Sequence, residues 1–150
     1  MTDIPTQQET QLQYLTSDDR MLALVTHLSA CFGGILIPII IYFIQKDKSK
    51  FVAFNALSAI FWQLIYIGVI LLLSFGFILL GVLVPTLTVA TKSSEMPVLF
   101  IIFVIVLCIV IIGIVLIFLG YSIFSAIKSY QGNIVMYPIV GKIAYRKIYG

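Results

Sequence analysis

From Val98 to Ile127 the chain runs without a charged side chain, almost entirely as Ile, Val, Leu and Phe. Such a stretch exceeds the roughly 20 residues that a helix needs to cross a bilayer. A chain of 150 residues could not cover it in water, because hydrophobic residues make up 61% of the sequence and charged ones only 10%, against roughly 25% charged in soluble domains. Lipid removes the conflict, and helices satisfy their own backbone polar groups there. The expected fold class is therefore all-α, an integral membrane helical bundle.

Two further segments read the same way. Met21 to Ile44 reaches about 36 Å as a helix, and Ala56 to Val84 is longer still. About three transmembrane helices are expected, at residues 21–44, 56–84 and 98–127, within a domain of residues 20–143. Residues 1–19 read as a polar, flexible tail ending in Ser17, Asp18 and Asp19, whose acidic groups suit the start of a helix. Pro38 is expected to kink the first span. Pro85 to Pro97 reads as a mildly polar connection. Residues 144–150 form a basic, aromatic end, within a short amphipathic helix at Val140 to Tyr149 lying on the membrane. Tyr130, Tyr137, Tyr145 and Tyr149 are expected at the headgroups.

Charge suggests an orientation. Lys46, Lys48 and Lys50 mark the first loop, and Lys128, Lys142, Arg146 and Lys147 the C-terminal tail; these are read as lipid-facing basic residues. The N-terminal tail has Arg20 against Asp3, Glu9, Asp18 and Asp19. Basic loops stay in the cytoplasm. Three spans put the two basic regions on one side, so the N-terminus is expected outside and the C-terminus inside a cell membrane. Leu28-Ser29-Ala30-Cys31 has the order of a lipoprotein cleavage site. No basic segment precedes it, however, and His27 interrupts the apolar stretch.

The polar and small residues within the spans are the candidate sites. Ala23, Thr26, His27, Ala30, Gly33 and Gly34 share one helical face, with Ala30 and Gly34 as a small-x-x-x-small pair that lets backbones approach. Asn55, Ser58, Ala59, Trp62 and Tyr66 share another, with Gln63 beside it, and the two faces are expected to meet. His27, Asn55 and Gln63 read as hydrogen-bonding links between helices. Gly113 and Gly120 read as a packing seam. Cys31 and Cys108 lie in apolar runs and read as small buried hydrophobes. No nucleophile–base pair, carboxylate pair, phosphate loop or metal-ligand cluster is visible, so no enzymatic activity, cofactor or metal is expected. Without a basic patch interleaved with aromatics, neither is nucleic acid.

One resemblance rests on several motifs together. R-M-L-A-L-V-T-H-L-S at Arg20 to Ser29, the loop K-D-K-S-K-F-V, F-N-A-L-S-A-I-F-W-Q, and A-I-K-S-Y-Q-G followed by M-Y-P-I occur in that order. The arrangement resembles a Tic-twenty-like family of bacterial and archaeal membrane proteins of unknown function, labelled after a chloroplast inner-envelope import component. His27, Gln63, Tyr130, Gly132, Tyr137 and Pro138 match its pattern. The family often has His at the position of Asn55 and Asn at that of Phe61. The resemblance implies a helical membrane protein with a lysine loop and a link to protein translocation.

These readings point to a non-enzymatic accessory or scaffold subunit. Its partners are the lipid bilayer and either further copies of itself or another membrane protein. The alternative is an oligomeric channel or transporter for ions or small solutes, with Thr26, His27, Asn55, Ser58 and Gln63 lining the path.

Overall fold

The computed structural model describes residues 15–32, 34–90 and 98–150. The expected tail before residue 15, Gly33, and the part of the expected connection at 91–97 lie outside them. The described elements are helix α1 (Ser17–Leu28), a 3₁₀ turn (Ser29–Phe32), α2 (Leu36–Gln45), α3 (Lys50–Ala90), α4 (Val98–Tyr130) and α5 (Val140–Tyr149). No strand occurs among the described residues. Apolar stretches of 38 residues in α3 (Lys50–Leu87) and 31 in α4 (Phe100–Tyr130) are long enough to cross a membrane, whereas α2 is a shorter apolar helix. The all-α membrane bundle expected from the sequence is what the chain forms.

The fold begins earlier than expected. Thr16 caps α1: its hydroxyl accepts the Asp19 N–H, and the Asp19 carboxylate accepts the Thr16 N–H at 3.1 Å, a reciprocal capping box. Leu15 packs on a core cluster of Ala23, Ile41, Phe51, Val52 and Ala56. Residues 15–19 are thus part of the folded domain, not of a tail. Partial burial pushes the Asp19 carboxyl up, but hydrogen bonds from the Thr16 hydroxyl, Ser49 and the Thr16 backbone outweigh it and hold the group below its ordinary value.

The segment expected as one helix from Met21 to Ile44 is two helices with a break between them. The Thr26 hydroxyl donates to the Ala23 carbonyl and the Ser29 hydroxyl to the Thr26 carbonyl, where the helix tightens into the 3₁₀ turn. Pro38 supplies the second reason. A continuous helix would need an N–H there to bond the carbonyl of Gly34, and the proline ring would press on that carbonyl, at a cost of about 3 kcal/mol. Instead Pro38 falls in the first turn of α2, where no N–H is required. It starts a helix and does not kink one.

The two pieces fold back on each other. Asp19 reaches Ser49 just before α3, Ala23 meets Val52 in the core, His27 meets Asn55, and Ser29 meets Gln63. Contact thus advances along α1 and α3 in the same direction, so α1 runs parallel to α3 and α2 must return the chain. α4 runs the opposite way, because its last turn meets the start of α3 through Ser129 and Asn55. Gly132, just past α4 with φ +86°, has Leu15 and Arg20 against it. The starts of α1 and α3 and the end of α4 therefore lie together. α2 is only about 15 Å long, half of a hydrocarbon core of about 30 Å.

The chain forms two compact units, one of residues up to Leu64 together with Leu119–Gly150, the other Ile65–Phe118. In the first, Ala23, Ala53, Ala56, Ala126 and Ala144 are fully buried, and small side chains of this kind bring helices close. A second cluster joins Phe54, Leu57 and Ala144 of α5, with Tyr145, Ile148 and Tyr149 against it. In the second unit Leu71, Leu72, Phe75, Ile105, Ile109 and Leu116 are exposed, and the Tyr66 and Phe118 rings meet at 5.2 Å.

Candidate functional site

The first unit encloses a polar cluster. Asn55, in the second turn of α3, is fully buried, and His27, in the last turn of α1, is 1% exposed. His27 Nε2 lies 3.0 Å from Asn55 Oδ1, and the Ser129 hydroxyl donates to the same oxygen at 2.7 Å. The Asn55 Nδ2 amide donates to the Phe51 carbonyl one turn back. On the other side of the imidazole, the Tyr137 hydroxyl lies 2.9 Å from Nδ1. Because Asn55 Oδ1 can only accept, His27 donates from Nε2. Nδ1 is then the acceptor, and Tyr137 donates to it. The imidazole is neutral and fully bonded.

Tyr137 belongs to the segment between α4 and α5. The sequence reading put it at the headgroups, yet it is 2% exposed. Its ring packs against Trp62 at 4.8 Å and Tyr121 at 5.1 Å, and Tyr121 donates to the Met136 carbonyl. Burial raises the Tyr137 phenol above its ordinary pKa, although the Ser125 and Ser122 hydroxyls pull the other way, so it remains a donor at neutral pH. A second link joins Gln63 of α3 to the 3₁₀ turn: Nε2 donates to the Ser29 hydroxyl at 3.1 Å.

Of the sequence candidates, His27, Asn55, Ser58 and Gln63 are all buried within this one unit. Ser58 Oγ has no hydrogen-bond partner. Ala30 and Gly34 do not form a helical pair, because the break puts Ala30 in the 3₁₀ turn and Gly34 beyond it. Among the described residues nothing lies within 4 Å of a Cβ added at Gly113 or Gly120, so they form no seam there. Cys31 and Cys108 are exposed, not buried. Ser129 and Tyr137 were missed. The signal for the first was the row Ser122, Ser125, Ser129, helically spaced at the end of an apolar run and entirely buried.

Lys46, Lys48, Lys50, Lys142, Arg146 and Lys147 are exposed and Lys128 half-buried. Among the described residues no three His, Cys, Asp or Glu side chains gather where they could hold a metal ion. What the cluster does chemically is tie α1, α3, α4 and the segment before α5 through directional bonds.

A family model matches residues 18–144, that of the MamF/MmsF magnetosome magnetite crystal formation protein family. No curated protein and no solved structure matches the chain. The family match overturns the Tic-twenty-like resemblance and the link to protein translocation that came with it. The motifs behind that resemblance supply His27, Ser29, Ser49 and Tyr137, which build the polar cluster and the turn before α3.

Proposed function

Because the chain belongs to the MamF/MmsF magnetosome magnetite crystal formation family, we propose that it is a non-enzymatic accessory protein of the magnetosome membrane that supports crystal growth. The observation carrying this reading is the polar cluster. His27, Asn55, Ser129 and Tyr137 are spent on one another, leaving no buried nucleophile–base pair for turnover among the described residues. The same observation weighs against the lining of the channel alternative, since Thr26, His27, Asn55, Ser58 and Gln63 are buried within one chain.

The localisation we propose differs from the sequence reading. α3 and α4 cross the membrane, while α1 and α2 enter it and return as a hairpin. Lys46, Lys48, Lys50, Lys128, Lys142, Arg146 and Lys147 then share the cytoplasmic side. The start of α1 joins them, because Asp19 meets Ser49. Both ends of the described chain are cytoplasmic in this reading, in place of an external N-terminus. Reporter fusions before residue 15 and after Gly150 test it: equal cytoplasmic signals fit, and opposite signals restore three spans.

The functional test is deletion in a magnetite-forming host, with crystal size read by electron microscopy. Smaller or misshapen crystals, restored by the wild-type gene, are expected; unchanged crystals would remove the proposal. Tyr137→Phe at normal protein level should restore crystals. Failure at that level would point to chemistry at the cluster.

A further inference from the structure

α5 has two unlike faces. Val140, Ala144, Tyr145, Ile148 and Tyr149 turn inward, the last four packing on or around Phe54 and Leu57 of α3. The opposite face is exposed and mixed in character. Lys142, Arg146 and Lys147 stand beside Ile143, which is 54% exposed, and Ile139 at the start of the helix is 79% exposed. Lys142, Ile143, Arg146 and Lys147 line an open surface groove of about 330 Å³.

The position of this face matters as much as its composition. α5 lies beside the first two turns of α3, at the end that holds Lys46, Lys48, Lys50 and Lys128. Among the described residues every Lys and Arg belongs to this end, opposed there by Asp18, Asp19 and Asp47. Water would suit the cations but not the two isoleucines, and a hydrocarbon contact would suit only the isoleucines. The boundary of an anionic leaflet satisfies both, with phosphate against the cations and acyl chains against the apolar flank.

We propose that α5 docks on anionic phospholipid headgroups, with a lipid phosphate seated among Lys142, Arg146 and Lys147 and with Ile143 in the acyl boundary. This deepens the topology proposed above and rests on it, but not on any role in magnetite formation. The docking holds α5 against α3 from outside, as Phe54 and Leu57 hold it from within.

The test uses the full chain in nanodiscs of phosphatidylcholine with and without phosphatidylglycerol. In a Cys31→Ala, Cys108→Ala background, Ile143→Cys carries a nitroxide whose exposure to a water-soluble relaxation agent is measured. Exposure is expected to fall severalfold when phosphatidylglycerol is present. Lys142→Gln, Arg146→Gln and Lys147→Gln together should abolish that fall with helicity unchanged. Equal exposure in both lipids, or a fall that survives the triple variant, overturns the proposal. So does the same fall on adding inorganic phosphate to phosphatidylcholine discs, which would make the groove a free-anion site. An altered crystal phenotype bears on the family role alone, so the two readings fail separately.

Discussion

The described residues of 15–64 with 119–150 and of 65–118 share two long helices, yet they are held by different means. The first unit buries alanines, serines and a hydrogen-bonded cluster in which Asn55 takes two donors on one oxygen. The second turns Leu, Ile and Phe outward, and Gly68, Gly76, Gly81 and Gly113 have open space around them. In lipid, apolar side chains gain little by leaving the solvent, so specificity between helices must come from close packing and polar links. The first unit uses both, and the second displays the surface that acyl chains require.

The sharpest way to break this contrast is Asn55→Leu. It strands the His27 and Ser129 donors at once and should destabilise the protein by about 3 kcal/mol. Unfolding in detergent can be followed by Trp62, the sole tryptophan, which stacks on Tyr137. Gly141→Ala comes next. Its Cβ would lie 2.8 Å from the Met136 Cα, a backbone overlap expected to cost about 2 kcal/mol in the same assay. Thr16→Ala removes the α1 cap and should cost about 1 kcal/mol.

The Asp19 contribution has a definite pH sense. Its folded pKa is depressed, so the stability it adds is present above the ordinary carboxylate value of 3.8 and is lost as pH falls through the depressed value. An acid titration of wild type against Asp19→Asn should diverge above that window and converge below it. The smallest effect belongs to the second unit. Gly113→Ala meets nothing within 4 Å and should be neutral or stabilising by under about 1 kcal/mol. A loss as large as that of Gly141→Ala would erase the distinction between the two regions.

The long helices were legible because a charge-free apolar run has few alternatives, and the meeting of His27 with Asn55 followed from helical spacing and a short connecting loop. The break between Leu28 and Leu36 was not, although its causes were in view. Length and hydropathy of residues 21–44 suit a single span, and only the combination of Ser29, Gly34 and Pro38 argues otherwise. Tyr137 was misread for a similar reason. A tyrosine beside basic residues is usual at a membrane surface, and its true partner is separated from it by 110 positions. Local pattern carries no trace of such a pairing. Family membership was likewise misjudged: the resemblance rested on a few short motifs, whereas the family model matches across residues 18–144.

The parallel course of α1 and α3 has a consequence for biosynthesis. His27 emerges from the ribosome long before the residues that satisfy it: Asn55 follows by 28 positions and Tyr137 by 110. Until then the hairpin of α1 and α2 carries an imidazole, two hydroxyls and a break that lipid does not welcome. In the topology proposed above, its lodging in the bilayer is therefore provisional while α3 and α4 are being inserted. It becomes permanent only when the last residues close over it, so a chain truncated before Tyr137 should be a ready substrate for membrane quality control.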